Sequence, residues 1–428
     1  MILERINTIT LLCTIVLLLF RNGSFGVSGV PKPFEIGIIA VSVLTLVYLA
    51  YTKKWKEFFY TVPRSIRIAL VLFYTSMAIG WGIATIVRGM PTTRNMILEI
   101  GMFSVAVVTF LLVLFYARSD KRFVRHALYA LCVPLIFSII VIVPELGFMI
   151  DVARGSVFKG FTDNVEIVSK TLLIPLMVSL VYALRVPSKV WHSVLGTLGA
   201  VCMLALLIWT TQRAVVLAVV VGMGVVWVVL FLKQKNIKIS LLQLLLIIEI
   251  CIVGFMLVPY EGKKASVNRA LNADAYQSQS ADLADASLQD VLDSATIAQS
   301  SSGSLRDSEP RIRIWEYYLG VVARNPLGLG PNTHMDAVIP HTRRTFVNPG
   351  PHNAYIEAAL WGGVVGLGTV LYILGSALRR LYVVYRDRAD TLALAILGAL
   401  VAFSIAICFN DNLPSYWLWI LLALSLRI

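Results

Sequence analysis

Charged residues are scarce: Asp, Glu, Lys and Arg make up 14% of the 428 residues. A water-soluble chain carries nearer a quarter, so a soluble enzyme is excluded. Acidic residues are the scarcer sign, 24 against 37 Lys and Arg. Cysteine is sparse as well. Cys13, Cys132, Cys202, Cys251 and Cys408 all fall inside apolar runs. That excludes a disulfide framework or a thiolate metal site. Walker A, G-x-S-x-G and nucleotide-binding patterns are missing. What is abundant is apolar: 58% of the residues are hydrophobic and the mean hydropathy is +0.80. Runs of about 20 apolar residues recur along the whole length, each enough to cross a hydrocarbon layer of ~30 Å. A β-barrel shows alternating segments of ~10 residues instead.

The pattern predicts an all-α polytopic membrane protein with about twelve transmembrane helices and one large loop between helices 9 and 10. The expected spans are 6–20, 34–52, 68–87, 97–116, 126–144, 165–184, 190–210, 214–232, 239–258, 353–376, 391–409 and 413–426. The chain divides into helices 1–9 over 1–258, the loop over 259–352, and helices 10–12 over 353–428. The first run follows Glu4-Arg5 and lacks a small-residue cleavage site, so it reads as an uncleaved helix. Basic residues separate by side. Some twenty, including Lys53, Lys54, Arg118, Arg122, Lys233 and Arg388, fall at the termini and in alternate short loops. Seven, among them Arg88, Arg154 and Arg213, fall in the others. The positive-inside rule then places both termini in the cytoplasm and the long loop outside. The net charge of +13 is thereby a matter of orientation, and nucleic acid is not expected as a partner.

The long loop has two parts. Residues 265–305 are rich in Ser, Ala, Asp and Gln, with few large apolar residues. A short amphipathic helix or partial disorder is expected there. Beyond 310, Arg311 to Ala323 has helical spacing with Ile314, Tyr318 and Val321/Val322 on one face. That helix should end at Asn325-Pro326 and the turn Gly328-Leu329-Gly330-Pro331.

Chemistry-bearing residues gather at the outer ends of the helices. His352, in Pro349-Gly350-Pro351-His352-Asn353, lies at or near the N-cap of an apolar helix. The positive end of that helix and nearby arginines disfavour imidazolium. A neutral imidazole can act as a general base. The alternative is a capping or interfacial histidine with no chemistry. Arg213, in the short turn Thr210-Thr211-Gln212-Arg213, and Arg311 and Arg313, beside Arg306, suit phosphate oxygens. Snorkelling to the interface, or pairing with Asp307 and Glu309, is the competing account. Arg343 and Arg344 read as a solvated pair. Asp163, Asn164, Glu166 and Lys170 cluster at the start of the sixth helix, Lys170 about two turns in, where a charge is costly. It either contacts substrate or pairs with Glu166. Glu357 either orients His352 or bonds locally, and Glu249 stands near mid-depth in the ninth helix. His334, Asp336, His341 and His352 are ligands in type, but their spacing fits no zinc pattern. No metal and no cofactor is expected.

At these residues the chain resembles the O-antigen ligase family, within a wider group that includes O-antigen polymerases and O-linked oligosaccharyltransferases. The resemblance rests on His352-Asn353 followed, after residues 354–362, by Gly363-Val364-Val365-Gly366. It extends to Arg311-x-x-x-Trp315, Asn325-Pro326-Leu327-Gly328-Leu329-Gly330 and Thr211-Gln212-Arg213. Asp163-Asn164 departs from the family's usual Asn-x-Asn form. The resemblance implies a metal- and ATP-independent glycosyl transfer at the periplasmic face of the bacterial inner membrane. Undecaprenyl-diphosphate-linked O-antigen is the implied donor and lipid A–core oligosaccharide the acceptor. Carried onto this sequence, His352 deprotonates the acceptor, and Arg213 and Arg311 bind the diphosphate. Arg313, Lys170 and Asn353 complete the expected binding set, with Gly363 and Gly366 as close-packing residues. The absence of sequence beyond Ile428 favours a ligase over an oligosaccharyltransferase. A transporter is the reading from another class, resting on twelve spans and a buried Glu249.

Overall fold

The computed structural model describes residues 2–17, 33–87, 94–120, 122–140, 150–151, 157–158, 165–184, 190–210, 212–234, 237–258, 310–331, 338–340, 345–347, 350–409, 413 and 415–428. Each of the twelve expected spans is occupied by a helix. These are α1 (Ile2–Leu17), α2 (Pro33–Thr52), α4 (Arg64–Gly82), α5 (Arg94–Ser119), α6 (Phe123–Ile140), α7 (Val165–Leu184), α8 (Val190–Trp209), α9 (Arg213–Gln234), α10 (Ile237–Leu257), α12 (Ala354–Arg388), α13 (Thr391–Ala406) and α14 (Tyr416–Ser425). Seven of the described helices are long and apolar enough to cross a membrane. Among the described residues two further α-helices lie outside this set: short α3 (Trp55–Tyr60) and the loop helix α11 (Pro310–Arg324). Two small antiparallel hairpins pair Ile150–Asp151 with Val157–Phe158 and Val338–Pro340 with Thr345–Val347. Helix α3 falls where the sequence suggested only a charged loop. Its Trp55, Phe58, Phe59 and Tyr60 are the aromatic type that settles at a membrane interface.

The bundle centres on α12 and α13. Helix α12 packs along α4, α11, α13 and α14, while α13 packs against α7 and α9. Aromatic rings fill the seam, with Phe103 against Phe73, Trp361 and Trp419 at 4.9–5.7 Å between centroids. Small residues set the spacing elsewhere, since lipid offers no hydrophobic drive between helices. A Cβ on Gly222 would lie 2.8 Å from Met177 and 3.0 Å from Ala402, and one on Gly398 would meet Val226 at 2.6 Å. This register makes α9 and α13 antiparallel. At the far end of α9, Lys233 Nζ donates to the Arg386 carbonyl.

Helix α12 departs from the expected clean span. It runs 35 residues and breaks at Gly362 (φ −125°, ψ 18°) and Gly363 (φ 64°, ψ −154°). The backbone groups freed by the break must be satisfied inside a membrane. The turn after α11 does this. Leu329 N donates to Leu360 O at 2.7 Å, Gly330 N to Trp361 O at 3.1 Å, and Val364 N to Pro326 O at 2.9 Å. Gly328 and Gly330 hold φ of 84° and 83° to make that approach. Gly363 is therefore a backbone-break residue that admits the loop. The expected close packing of two helices at this position is corrected on that point.

Candidate functional site

Three helix N-termini stand at the same end of the bundle. Gln212 accepts the first backbone bonds of α9, from Val215 and Val216 at 3.1 Å, which puts Arg213 in the first turn. Pro310 opens α11, so Arg311 and Arg313 also lie in a first turn. Asn353 is the N-cap of α12: its Oδ1 accepts from Tyr355 N at 2.9 Å and Ile356 N at 3.1 Å. His352 sits one residue before the cap, exposed, with φ 46°.

Their common level follows from printed contacts. Gly222 faces Ala402, so Arg213, nine residues earlier on α9, stands level with the stretch after α13, roughly 14 Å from Gly222 at 1.5 Å per residue. Trp315 of α11 packs its ring 5.8 Å from Phe409 at that same end. Arg311 lies one turn before Trp315 on the same helix face. Tyr355 OH donates to Ser404 O at 3.1 Å, which brings the start of α12 alongside. Glu357, buried at 9%, accepts from Leu413 N at 3.1 Å. It ties the first turn of α12 to the α13–α14 turn, a long-range bond that neither of the two expected roles described. Met177 of α7 meets Gly222 and Gly398, and Lys170 lies seven residues toward the same end, roughly 10 Å along α7. Lys170 is 3% exposed, between buried Ser169 and Thr171.

The electrostatics have one sign. A helix N-terminus carries about half a positive charge, and a cation there is locally unfavourable. Arg213, Arg311 and Arg313 all stand in first turns. Among the described residues no carboxylate pairs with Arg213 or Arg311, whereas Arg313 lies 3.7 Å from Glu316. Local helix stability therefore does not explain the first two arginines, whose position at helix N-termini is one that suits an anion. Arg313 is partly committed to Glu316. Asn353 spends its carbonyl oxygen on the cap.

Several sequence expectations fall elsewhere. Arg306, Asp163, Asn164, His334, Asp336, His341, Arg343, Arg344, the segment 265–305 and the Glu166 side chain lie outside the described residues. Glu249 is exposed on the outer face of α10, which corrects its expected buried position. Sequence reasoning missed Ser76, Gly80 and Trp81 of α4, which wall the docked turn: a Cβ on Gly362 would meet Ser76 Oγ at 2.5 Å, and one on Gly330 would meet Trp81 Cβ at 2.8 Å. Gly80 in an otherwise large-residue run was the available signal.

These features define a class: a multi-pass α-helical membrane protein whose loop helix and broken helix build a cationic site at one end of the bundle. Residues 198–371 match the family model described as O-Antigen ligase (Wzy_C). The match is a likeness over that stretch. It covers about two fifths of the chain and contains Arg213, Arg311, Arg313, His352, Asn353 and Gly363, while Lys170 lies before it. No curated protein matches the chain.

Proposed function

We propose that this protein is an O-antigen ligase, transferring O-antigen polysaccharide from undecaprenyl diphosphate to lipid A–core oligosaccharide at the periplasmic face of the bacterial inner membrane. The observation that carries the reading is that the α9, α11 and α12 N-termini, with Arg213, Arg311 and His352, stand at the same end of the bundle. His352 Nδ1 or Nε2 takes the proton of the acceptor hydroxyl. The hydroxyl oxygen then forms the new bond to the anomeric carbon as the bond from that carbon to the diphosphate oxygen breaks. The leaving undecaprenyl diphosphate keeps the electron pair, and Arg213 and Arg311 stabilise its charge where it develops. Diphosphate is a good leaving group, so the balance needs neither metal nor nucleotide. Lys170, buried on the same side, is a further candidate for the diphosphate, with Arg313 and Asn353 at its edge. Both termini are cytoplasmic in this reading. A reaction with one general base and no covalent intermediate is a one-step inversion in this reading.

Purified protein in vesicles with lipid-linked O-antigen and lipid A–core, in EDTA and without nucleotide, tests this. A slower-migrating conjugate is expected. Polymerised donor with no conjugate would assign the chain to the polymerases of the same group. Loss of product with EDTA alone would overturn the metal-free step. Glu249 faces outward from α10, whereas the ionisable residues of a transport path face the bundle interior, which disfavours the transporter reading.

A further inference from the structure

The opposite end of the bundle carries a second site. Helix α4 touches the docked turn through Gly80 and Trp81. Its first residue, Arg64, lies sixteen positions earlier, roughly 24 Å away at the other membrane surface. There an open groove of about 690 Å³ is lined by Tyr60, Arg64, Arg67, Ile68, Val71 and Leu72.

Five of these residues form one helical stripe at i, i+3, i+4, i+7 and i+8. It is the face of α4 turned away from α12 and the docked turn, which meet Phe73 and Ser76, and Gly80, respectively. Two arginines stand at its head, and three exposed aliphatic side chains continue below them toward mid-membrane. The Arg67 guanidinium lies 5.0 Å from the Tyr60 ring centroid, which fixes its direction. Its Nε is shielded from solvent and has no hydrogen-bond partner among the described residues. No described carboxylate pairs with Arg64 or Arg67; Glu57 nearby is taken by Lys54 at 3.8 Å. The corner above the groove is braced, because Arg427 donates to Thr61 O at 2.7 Å and to Leu114 O at 3.1 Å.

A general excess of positive charge orients a membrane protein without needing a groove or a shielded donor. The order here, cations at the surface and an aliphatic floor beneath, is the order of a phospholipid. We infer that this groove binds an anionic phospholipid of the adjacent leaflet, its phosphate between Arg64 and Arg67 and one acyl chain along Ile68, Val71 and Leu72. The bound lipid would brace the α3–α4 corner. The inference is independent of the reaction proposed at the His352 end.

The test is retention of phosphatidylglycerol by the purified full-length protein, measured by native mass spectrometry after equilibration in mixed phosphatidylglycerol and phosphatidylcholine micelles. Wild type should retain phosphatidylglycerol selectively. Arg64→Gln/Arg67→Gln should retain it roughly tenfold to thirtyfold less, given what one basic residue near an anionic surface contributes. Lys53→Gln/Lys56→Gln removes equal charge and should retain it as wild type does. Unchanged retention in the arginine variant, or equal loss in both variants, would overturn the site. A thermal shift with phosphatidylglycerol, absent in the arginine variant and not reproduced by inorganic phosphate, is the second readout. Equal stabilisation by phosphate would also overturn it.

Discussion

Replacing Gly363 with alanine tests how the loop is held against the membrane helices. Gly363 has φ 64°, a region that costs a non-glycine residue roughly 1–2 kcal/mol. Its new Cβ would overlap the Pro326 carbonyl. The variant must therefore keep the strain and overlap or release the 326–330 turn. Release breaks the bonds Leu329 N to Leu360 O, Gly330 N to Trp361 O and Val364 N to Pro326 O. At about 1 kcal/mol net each they contribute about 3 kcal/mol, partly offset as the straightened helix recovers internal bonds. The docked turn should weaken by about 2–4 kcal/mol, which is roughly 30- to 700-fold in local opening. Hydrogen–deuterium exchange in peptides spanning 326–331 and 360–364 should accelerate by that factor while the rest of the bundle keeps its protection. Because the same turn anchors α11 and its Arg311, transfer activity should fall with it. Unchanged exchange at 326–331 in a folded variant would refute the idea that the helix break anchors the loop.

Asn353→Ala removes the α12 cap and should cost about 1 kcal/mol of stability, with Asn353→Ser restoring most of it, read as thermal midpoint. Glu357→Ala leaves Leu413 N buried without its acceptor and should cost about 1–3 kcal/mol. Glu357→Gln should recover much of that, and turnover should follow stability in both. Glu249→Gln changes an exposed side chain on α10 and should leave transfer rates within about twofold, as expected of a substitution far from the site; a large loss would return attention to a transport reading. Arg213→Gln and Arg311→Gln should each slow transfer roughly a hundredfold, the scale for one lost charge-stabilising contact, measured with saturating acceptor.

The twelve apolar segments were legible because membrane spans need only length and hydropathy, and no tertiary knowledge. Helix α11 was legible for a related reason. Ile314 and Tyr318, expected on its inner face, are 3% and 1% exposed, and Asn325-Pro326 ends the helix as its sequence requires. The break in α12 was not legible. Gly362-Gly363 inside an apolar run reads as a close-packing surface, and only the return of Pro326 and Leu329 from the loop gives those glycines a different task. The position of Glu249 was also hidden, because every face of α10 is apolar and no periodicity separates inside from outside. At the site, the position of Arg213 at a helix start was legible from its short turn, and that of Arg311 from the helical spacing that follows it. His352 lies near the N-cap, as its position in the sequence suggested; that Asn353 holds the cap itself and leaves His352 before it in a left-handed backbone is a distinction that depends on backbone angles.

The most direct test of the account is the rate of conjugate formation by purified His352→Ala protein in vesicles containing lipid-linked O-antigen and lipid A–core. Loss of a positioned general base predicts a fall of roughly 10²- to 10⁴-fold, with donor binding and thermal stability retained. Transfer within a few-fold of wild type would contradict the claim that His352 activates the acceptor at this site.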